Sequence, residues 1–361
     1  MKSKFKLCLA VLCFIAFVAT GQTIRSVDGK KVKIDHLNQR VEFLLDSLEV
    51  PGLSMAILNN KEIVYHEVFG VQNIETEDKI EKGSIFEGAS LSKPIFAYFA
   101  MKQAEQGILD LDKPMYQYMD HPGIDSASRE DYKLITPRMI LSHSTGFPNF
   151  SKGQQIVLPF KPGTDFLYSG EGYQYLAAVI GGLHGVGWKS EFNKIFIREV
   201  TDPLGMNNTS FLWNQHLADH KVYGHMEGKP TSNGTGGWSG KTFNAFSSIH
   251  SEAGEYALFI QEMLKQQGMK KETFEEMLKP ANIFKENNEL VAETGQTAWG
   301  LGFAQKPSDN GLMHLHTGNN HDFQAYSMFI VEKGYGIVLF TNCDKMLPLI
   351  QGLESTLGEQ F

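Results

Sequence analysis

Cysteine is nearly absent from this chain: three occur in 361 residues, and Cys8 and Cys13 lie in the N-terminal apolar run. Beyond that run Cys343 stands alone, which excludes an intrachain disulfide there and leaves stability to a buried core. Cys343 follows the apolar run Gly336-Ile337-Val338-Leu339-Phe340, where a lone cysteine is usually packing material and not a nucleophile. Long basic runs are absent too. A net charge of −8 and a pI near 5.9 argue against nucleic acid or an anionic membrane as the main partner. No segment repeats at a fixed period. The glycine-rich stretch Thr231 to Gly240 lacks the Gly-Lys-Ser/Thr ending of a phosphate loop and reads as a mobile loop at a cleft rim.

The one long apolar run, Leu7 to Val18, is shorter than the ~20 residues that span a bilayer core. Lys2, Lys4 and Lys6 precede it, and the small residues Ala19-Thr20-Gly21 follow. This pattern predicts a cleaved export signal over 1–21 and a mature domain over 22–361, in a periplasmic or extracellular setting without stable membrane insertion.

His36 to Leu48 carries Leu37, Val41, Leu44, Leu45 and Leu48 at helical spacing, with Asp35 expected as its cap. Leu53–Leu58 and Glu62–Gly70 read as strands joined by a turn at Asn59-Asn60. Near the other end, Gly311–Thr317, Phe323–Val331 and Tyr335–Thr341 also read as strands, with a closing helix over Lys345–Leu357. The middle is helical and loop-rich. The pattern predicts an α/β (α+β) domain, in which one sheet is assembled from both chain ends and a mostly helical insertion packs on it. An active site belongs in the cleft between the two lobes.

Ser90-Leu91-Ser92-Lys93 opens an apolar helix that carries Pro94 early and stops at Gly107. Residues three apart on a helix share a face, so Lys93 is expected beside the Ser90 hydroxyl. A serine is a poor nucleophile until a neighbour takes its proton, and a lysine does so once burial lowers its pKa. Tyr168 sits at a turn leading into a second apolar helix, where a tyrosine near a lysine can carry protons. His316-Thr317-Gly318 ends a strand, and an edge strand with glycine lets a substrate backbone approach and leaves an amide free for an oxyanion.

These three elements, in this order, resemble the serine β-lactamase-related and penicillin-binding protein family, especially its class C-like, DD-peptidase and esterase branch. Gly107-Ile108-Leu109-Asp110-Leu111-Asp112, the run Ile135 to Pro148, Pro203-Leu204-Gly205-Met206 and Trp299-Gly300-Leu301-Gly302 are similar to further stretches of the family. The resemblance implies a β-lactamase-like fold and a serine hydrolase without a cofactor. In it Ser90 forms an acyl-enzyme on an ester or amide, Lys93 and Tyr168 share the proton work, and the N–H groups of Ser90 and Asn319 form the oxyanion hole. His316, Thr317, Gly318, Asn319 and position 170 would bind a small-molecule or peptidoglycan-derived substrate.

Three departures from the family pattern bear on substrate. Gly170 replaces the usual asparagine, which removes a side chain that would contact Lys93 and a substrate amide; restoring it is expected to raise affinity for a β-lactam. His316 replaces the lysine common in β-lactamases, and a histidine is mostly uncharged at neutral pH. Asp322 replaces a glycine and brings negative charge to the rim. Two other classes of function draw on the same residues. His314, His316, His321 and Asp322 could ligate zinc, although their spacing matches no metallohydrolase pattern. A binding or sensor protein without turnover is suggested by Gly170 and opposed by the intact Ser90, Lys93 and Tyr168.

Overall fold

The computed structural model describes residues 22–231 and 240–359; the export-signal reading and most of the glycine-rich stretch lie outside them. Two apolar strands, Gly52–Asn59 and Tyr335–Thr341, meet at the centre of a nine-stranded antiparallel sheet, with Ala56 opposite Val338. Both are buried along their whole length, as strands covered on two faces must be. Outward from them the sheet runs through Gln324–Ile330, Gly311–Asn319 and Ala304–Ser308 on one side and Glu62–Asn73 on the other.

Helices Ile34–Leu48 and Met346–Leu357 cover one face, burying Leu37, Val41, Leu44, Leu353 and Leu357. The first of these starts directly from the Lys31–Lys33 strand, two residues earlier than its apolar spacing suggests. Asp35 therefore lies in the first helical turn and caps nothing, although its charge suits the positive helix end. The first hairpin turns at Asn60-Lys61, both with positive φ, one residue beyond the expected Asn59-Asn60. A two-residue turn of that handedness matches strand twist.

The helical lobe packs on the other face. Its central helix, Ser92–Glu105, is buried nearly all round because helices and sheet surround it. Phe96, Phe99, Phe192, Phe196 and Phe243 interlock about it, with Phe211 and Phe243 stacked at 4.2 Å. That burial is what takes Lys93, one residue into the helix, away from water. Among the described residues no helix is long and apolar enough to cross a membrane.

Candidate active site

The chain enters this helix from the short strand Phe86–Ala89, which pairs with Ile249–Ser251 and not with the main sheet. Ala89 has φ 45°, a left-handed conformation that a residue with a Cβ adopts only under constraint. This sharp exit leaves Ser90 at the mouth of a cleft of about 350 Å³, lined also by Asn149, Tyr168, Trp299, His316 and Asn319. The two serines of the motif differ. Ser92 Oγ donates to Ala89 O at 2.6 Å and accepts from Ile249 N at 2.9 Å, so it is tied up in the helix start. Ser90 Oγ instead meets Lys93 Nζ at 3.2 Å and the Tyr168 hydroxyl.

Lys93 has no exposed surface, and burial drives its pKa well below the usual lysine range. Its other hydrogen bond goes to Phe246 O at 3.0 Å, and its Nζ lies 4.5 Å from the Tyr168 ring centroid. A neutral amine has two N–H groups and one lone pair. With an N–H on the Phe246 carbonyl, the lone pair is free to accept the Ser90 hydroxyl proton. Burial also raises the Tyr168 pKa, with the Ser90 hydrogen bond working against it, so the phenol stays protonated at rest.

His143, which lies within the Ile135–Pro148 run, also shapes this site. Its Nδ1 accepts from Ser169 N at 3.0 Å, and its ring lies 4.5 Å from that of Tyr168. Burial, Lys93 and His316 hold it neutral. It fixes the turn that carries Tyr168, while the Ser169 hydroxyl caps the following helix by accepting from Gly172 N.

The His316-Thr317-Gly318 segment belongs to an interior strand of the sheet. Pairing with Ala304–Ser308 stops at Leu315, however, so the segment is an edge locally, on the side that faces the cleft. Asn320 N bonds Phe323 O across the turn, and ladder hydrogen bonds alternate, so the Thr317 and Asn319 amides point away from the neighbouring strand. Gly318 is needed because a Cβ there would lie 2.3 Å from Gly88 O, in the strand that leads to Ser90. Asn320 Nδ2 also donates to Glu87 at 2.6 Å, which ties the two strands together.

His316 Nδ1 donates to Thr317 O at 2.8 Å, leaving Nε2 buried and unpartnered. Burial, reinforced by Lys93, pulls its pKa down to about 3, so it carries no charge at neutral pH. His314 is stacked on Phe329 at 5.0 Å in the core, and no group of three or more His, Cys, Asp or Glu among the described residues is placed to hold a metal ion. Asp322 accepts from Thr231 Oγ1 at 2.5 Å, so its charge is partly engaged.

Gly170 differs from the expectation attached to it. The Lys93 contact that a side chain here would make is supplied by Phe246 O. A Cβ on Gly170 would lie 2.7 Å from Asn149 O, 2.8 Å from Phe246 Cδ2 and 3.0 Å from Asn149 Oδ1. The space is filled, so adding an asparagine cannot simply restore a missing contact. Gly170→Asn is expected to destabilise the protein by about 1–3 kcal/mol, read as a lower denaturation midpoint. Unchanged stability would show that the loops give way freely.

The beta-lactamase family model matches residues 37–351. The chain is 21% identical to protein flp of Staphylococcus aureus (strain MRSA252) over 84% of its own length and 61% of that protein. It is 28% identical to penicillin-binding protein 4* of Bacillus subtilis (strain 168) over 55% of its length and 46% of that protein. It thus spans less than two thirds of both relatives. Among solved structures, the octameric penicillin-binding protein homologue from Pyrococcus abyssi superposes with a TM-score of 0.74, at 20% identity over 89% of this chain and 76% of that one. D-alanine carboxypeptidase AmpC from Burkholderia cenocepacia gives 0.72, at 18% identity over 90% and 99%. A two-lobed fold with Ser90 and Lys93 at the start of its central helix, matched by one family model over most of the sequence, places this chain in the beta-lactamase family.

Proposed function

We propose that this chain is a serine hydrolase that cleaves an ester or amide through an acyl-enzyme on Ser90. The observation that carries this reading is the buried amine of Lys93, 3.2 Å from Ser90 Oγ, with no exposed surface. As Ser90 Oγ attacks the substrate carbonyl carbon, its proton passes to Lys93 Nζ. The oxyanion is held by the N–H groups of Ser90 and Asn319, each such donor being worth about 2.7–4 kcal/mol. Tyr168 gives its proton to the leaving group and regains one from Lys93. Water then attacks the acyl carbonyl carbon, losing its proton to the same pair, which returns a proton to Ser90 Oγ as the C–O bond breaks and the acid leaves.

His316 bears on the substrate. With its pKa pulled down to about 3, it offers no positive charge to a carboxylate. A cephalosporin and a D-Ala-D-Ala terminus both carry one; a simple ester does not. Wild-type kcat/KM for short-chain p-nitrophenyl esters is expected to exceed that for a chromogenic cephalosporin by roughly a hundredfold. His316→Lys should narrow the gap by lowering the cephalosporin KM. A wild-type preference for the cephalosporin or for a D-Ala-D-Ala peptide would overturn the ester assignment and leave the nucleophile untouched.

Export is part of the same proposal. The protein recovered from periplasm or medium should have an intact mass beginning at Gln22. Full-length protein confined to the cytosol would contradict it.

A further inference from the structure

Glu87 and Lys221 form an ion pair at the strand that leads to Ser90. Lys221 Nζ lies 3.1 Å from Glu87 Oε1, and both side chains are buried. Neither residue lines the cleft. The backbone beside Lys221 is fixed to the same strand entry, since Val222 N bonds Ile85 O at 3.0 Å and Ile85 N bonds His220 O at 2.9 Å. The Lys221 amine makes no further hydrogen bond among the described residues and lies 4.5 Å from the Phe323 ring centroid. The other oxygen of Glu87 accepts from Asn320 Nδ2 at 2.6 Å. His250, opposite Glu87 in the short strand pair, is held neutral by burial, which pulls its pKa down to about 4 against the pull of Glu87. Lys221 is thus the cation that answers the Glu87 carboxylate.

Desolvating two charges is costly, and an apolar pair of similar volume usually serves stability as well or better. What the ions supply here is direction. Lys221 fixes one carboxylate oxygen, and the second oxygen fixes Asn320. Asn320 follows Asn319, and Glu87 stands three residues before Ser90. One carboxylate therefore spans the two chain segments whose amides must converge on a single oxygen. We propose that Glu87, oriented by Lys221, is a positioning residue that holds the Asn319 and Ser90 amides at the spacing an oxyanion requires. This rests on the hydrolase reading of Ser90 and adds to it a support outside the cleft.

The test compares three variants in turnover of a short-chain p-nitrophenyl ester and in inhibition by phenylboronic acid. Boron bonds to Ser90 Oγ as the serine proton passes to Lys93, and the tetrahedral adduct places an oxygen in the hole. Asn320→Ala removes the tie and leaves the ion pair in place. Glu87→Leu with Lys221→Met removes the carboxylate without leaving a buried charge unpaired. Glu87→Gln with Lys221→Met keeps a carbonyl acceptor for Asn320 Nδ2. The first two are expected to lose about tenfold to a hundredfold in kcat, less than deleting a donor outright, with KM within about threefold of wild type. Their affinity for phenylboronic acid should fall by a similar factor. The third should recover most of both losses. In thermal melts the Leu/Met variant should match or exceed wild type, a split between stability and turnover that a merely structural pair would not produce. Fluorophosphonate labelling carried to completion reports an intact Ser90 in each variant. If the double variants fail to fold, Asn320→Ala decides alone. Near-normal kcat and inhibitor affinity in Asn320→Ala or in the Leu/Met variant, or no recovery in a folded Gln/Met variant, overturns the role of Glu87 and leaves the hydrolase standing. Failure of wild type to hydrolyse the ester or to label at Ser90 overturns the hydrolase reading, and this inference with it.

Discussion

Ser90→Ala is expected to abolish fluorophosphonate labelling and to lower ester turnover by a factor on the order of 10⁴–10⁶, the scale of losing a nucleophile outright. Ser90 is the motif serine that is free to react, since Ser92 is held by two hydrogen bonds in the helix start. An alanine at 90 keeps the backbone amide, so both donors of the proposed oxyanion hole persist and some residual rate above water remains. Intact mass before and after the probe checks the labelling, and progress curves with a p-nitrophenyl ester check the rate. Equal labelling of the alanine variant would end the assignment of Ser90.

The second large effect belongs to Lys93, and it moves activity and stability in opposite directions. Lys93→Arg keeps a cation that cannot lose its proton near neutrality, and turnover is expected to fall about 10²–10⁴-fold. Lys93→Met fills a similar volume without an amine to desolvate. It should be equally inactive yet melt higher by roughly 2–6 °C. The pH dependence follows from the direction of the shift. Burial lowers the folded-state pKa of Lys93 well below its unfolded value. Between those two pKa values the unfolded chain holds the extra proton, so the lysine penalises folding, and the penalty fades as pH rises toward the unfolded value. The advantage of Lys93→Met in thermal melts should therefore shrink from pH 7 to pH 10. An arginine variant with near-normal turnover, or a methionine variant that melts lower at pH 7, would show that Lys93 is held in place for another reason.

Much of this site could be read from residue order. Ser90 and Lys93 sit three apart, a spacing that local helix geometry alone converts into contact. The turn before Tyr168 and the Thr317-Gly318 strand end also carry their signals within a few residues. Phe246 gives no such signal, because it acts through a carbonyl oxygen that every residue possesses. Asn149 and Gly170 are informative only as a pair, and nothing in their separate neighbourhoods says that one occupies the space the other leaves. His143 lies in a stretch with family likeness, but its partner is the backbone of Ser169, reached only once both loops are folded. The central sheet was legible from its apolar strands. The separate pairing of Phe86–Ala89 with Ile249–Ser251 was not, since a four-residue strand carries too little pattern. Asp35 departs from its expected role for a local reason: the helix begins where the preceding strand ends, without a capping side chain.

The pairing of Ala56 with Val338 at the sheet's centre sets a timetable for how the protein is made. The Gly52–Asn59 strand leaves the ribosome roughly 280 residues before its partner on one side, Tyr335–Thr341. At about 5–20 residues per second the wait is roughly 15–60 s. For that interval Leu53, Met55, Ile57 and Leu58 form an apolar strand with one open edge, the kind of segment that pairs with other chains. Contacts between such distant residues also form slowly once both strands exist. An expression host that slows translation lengthens that interval and should lower the yield of folded protein.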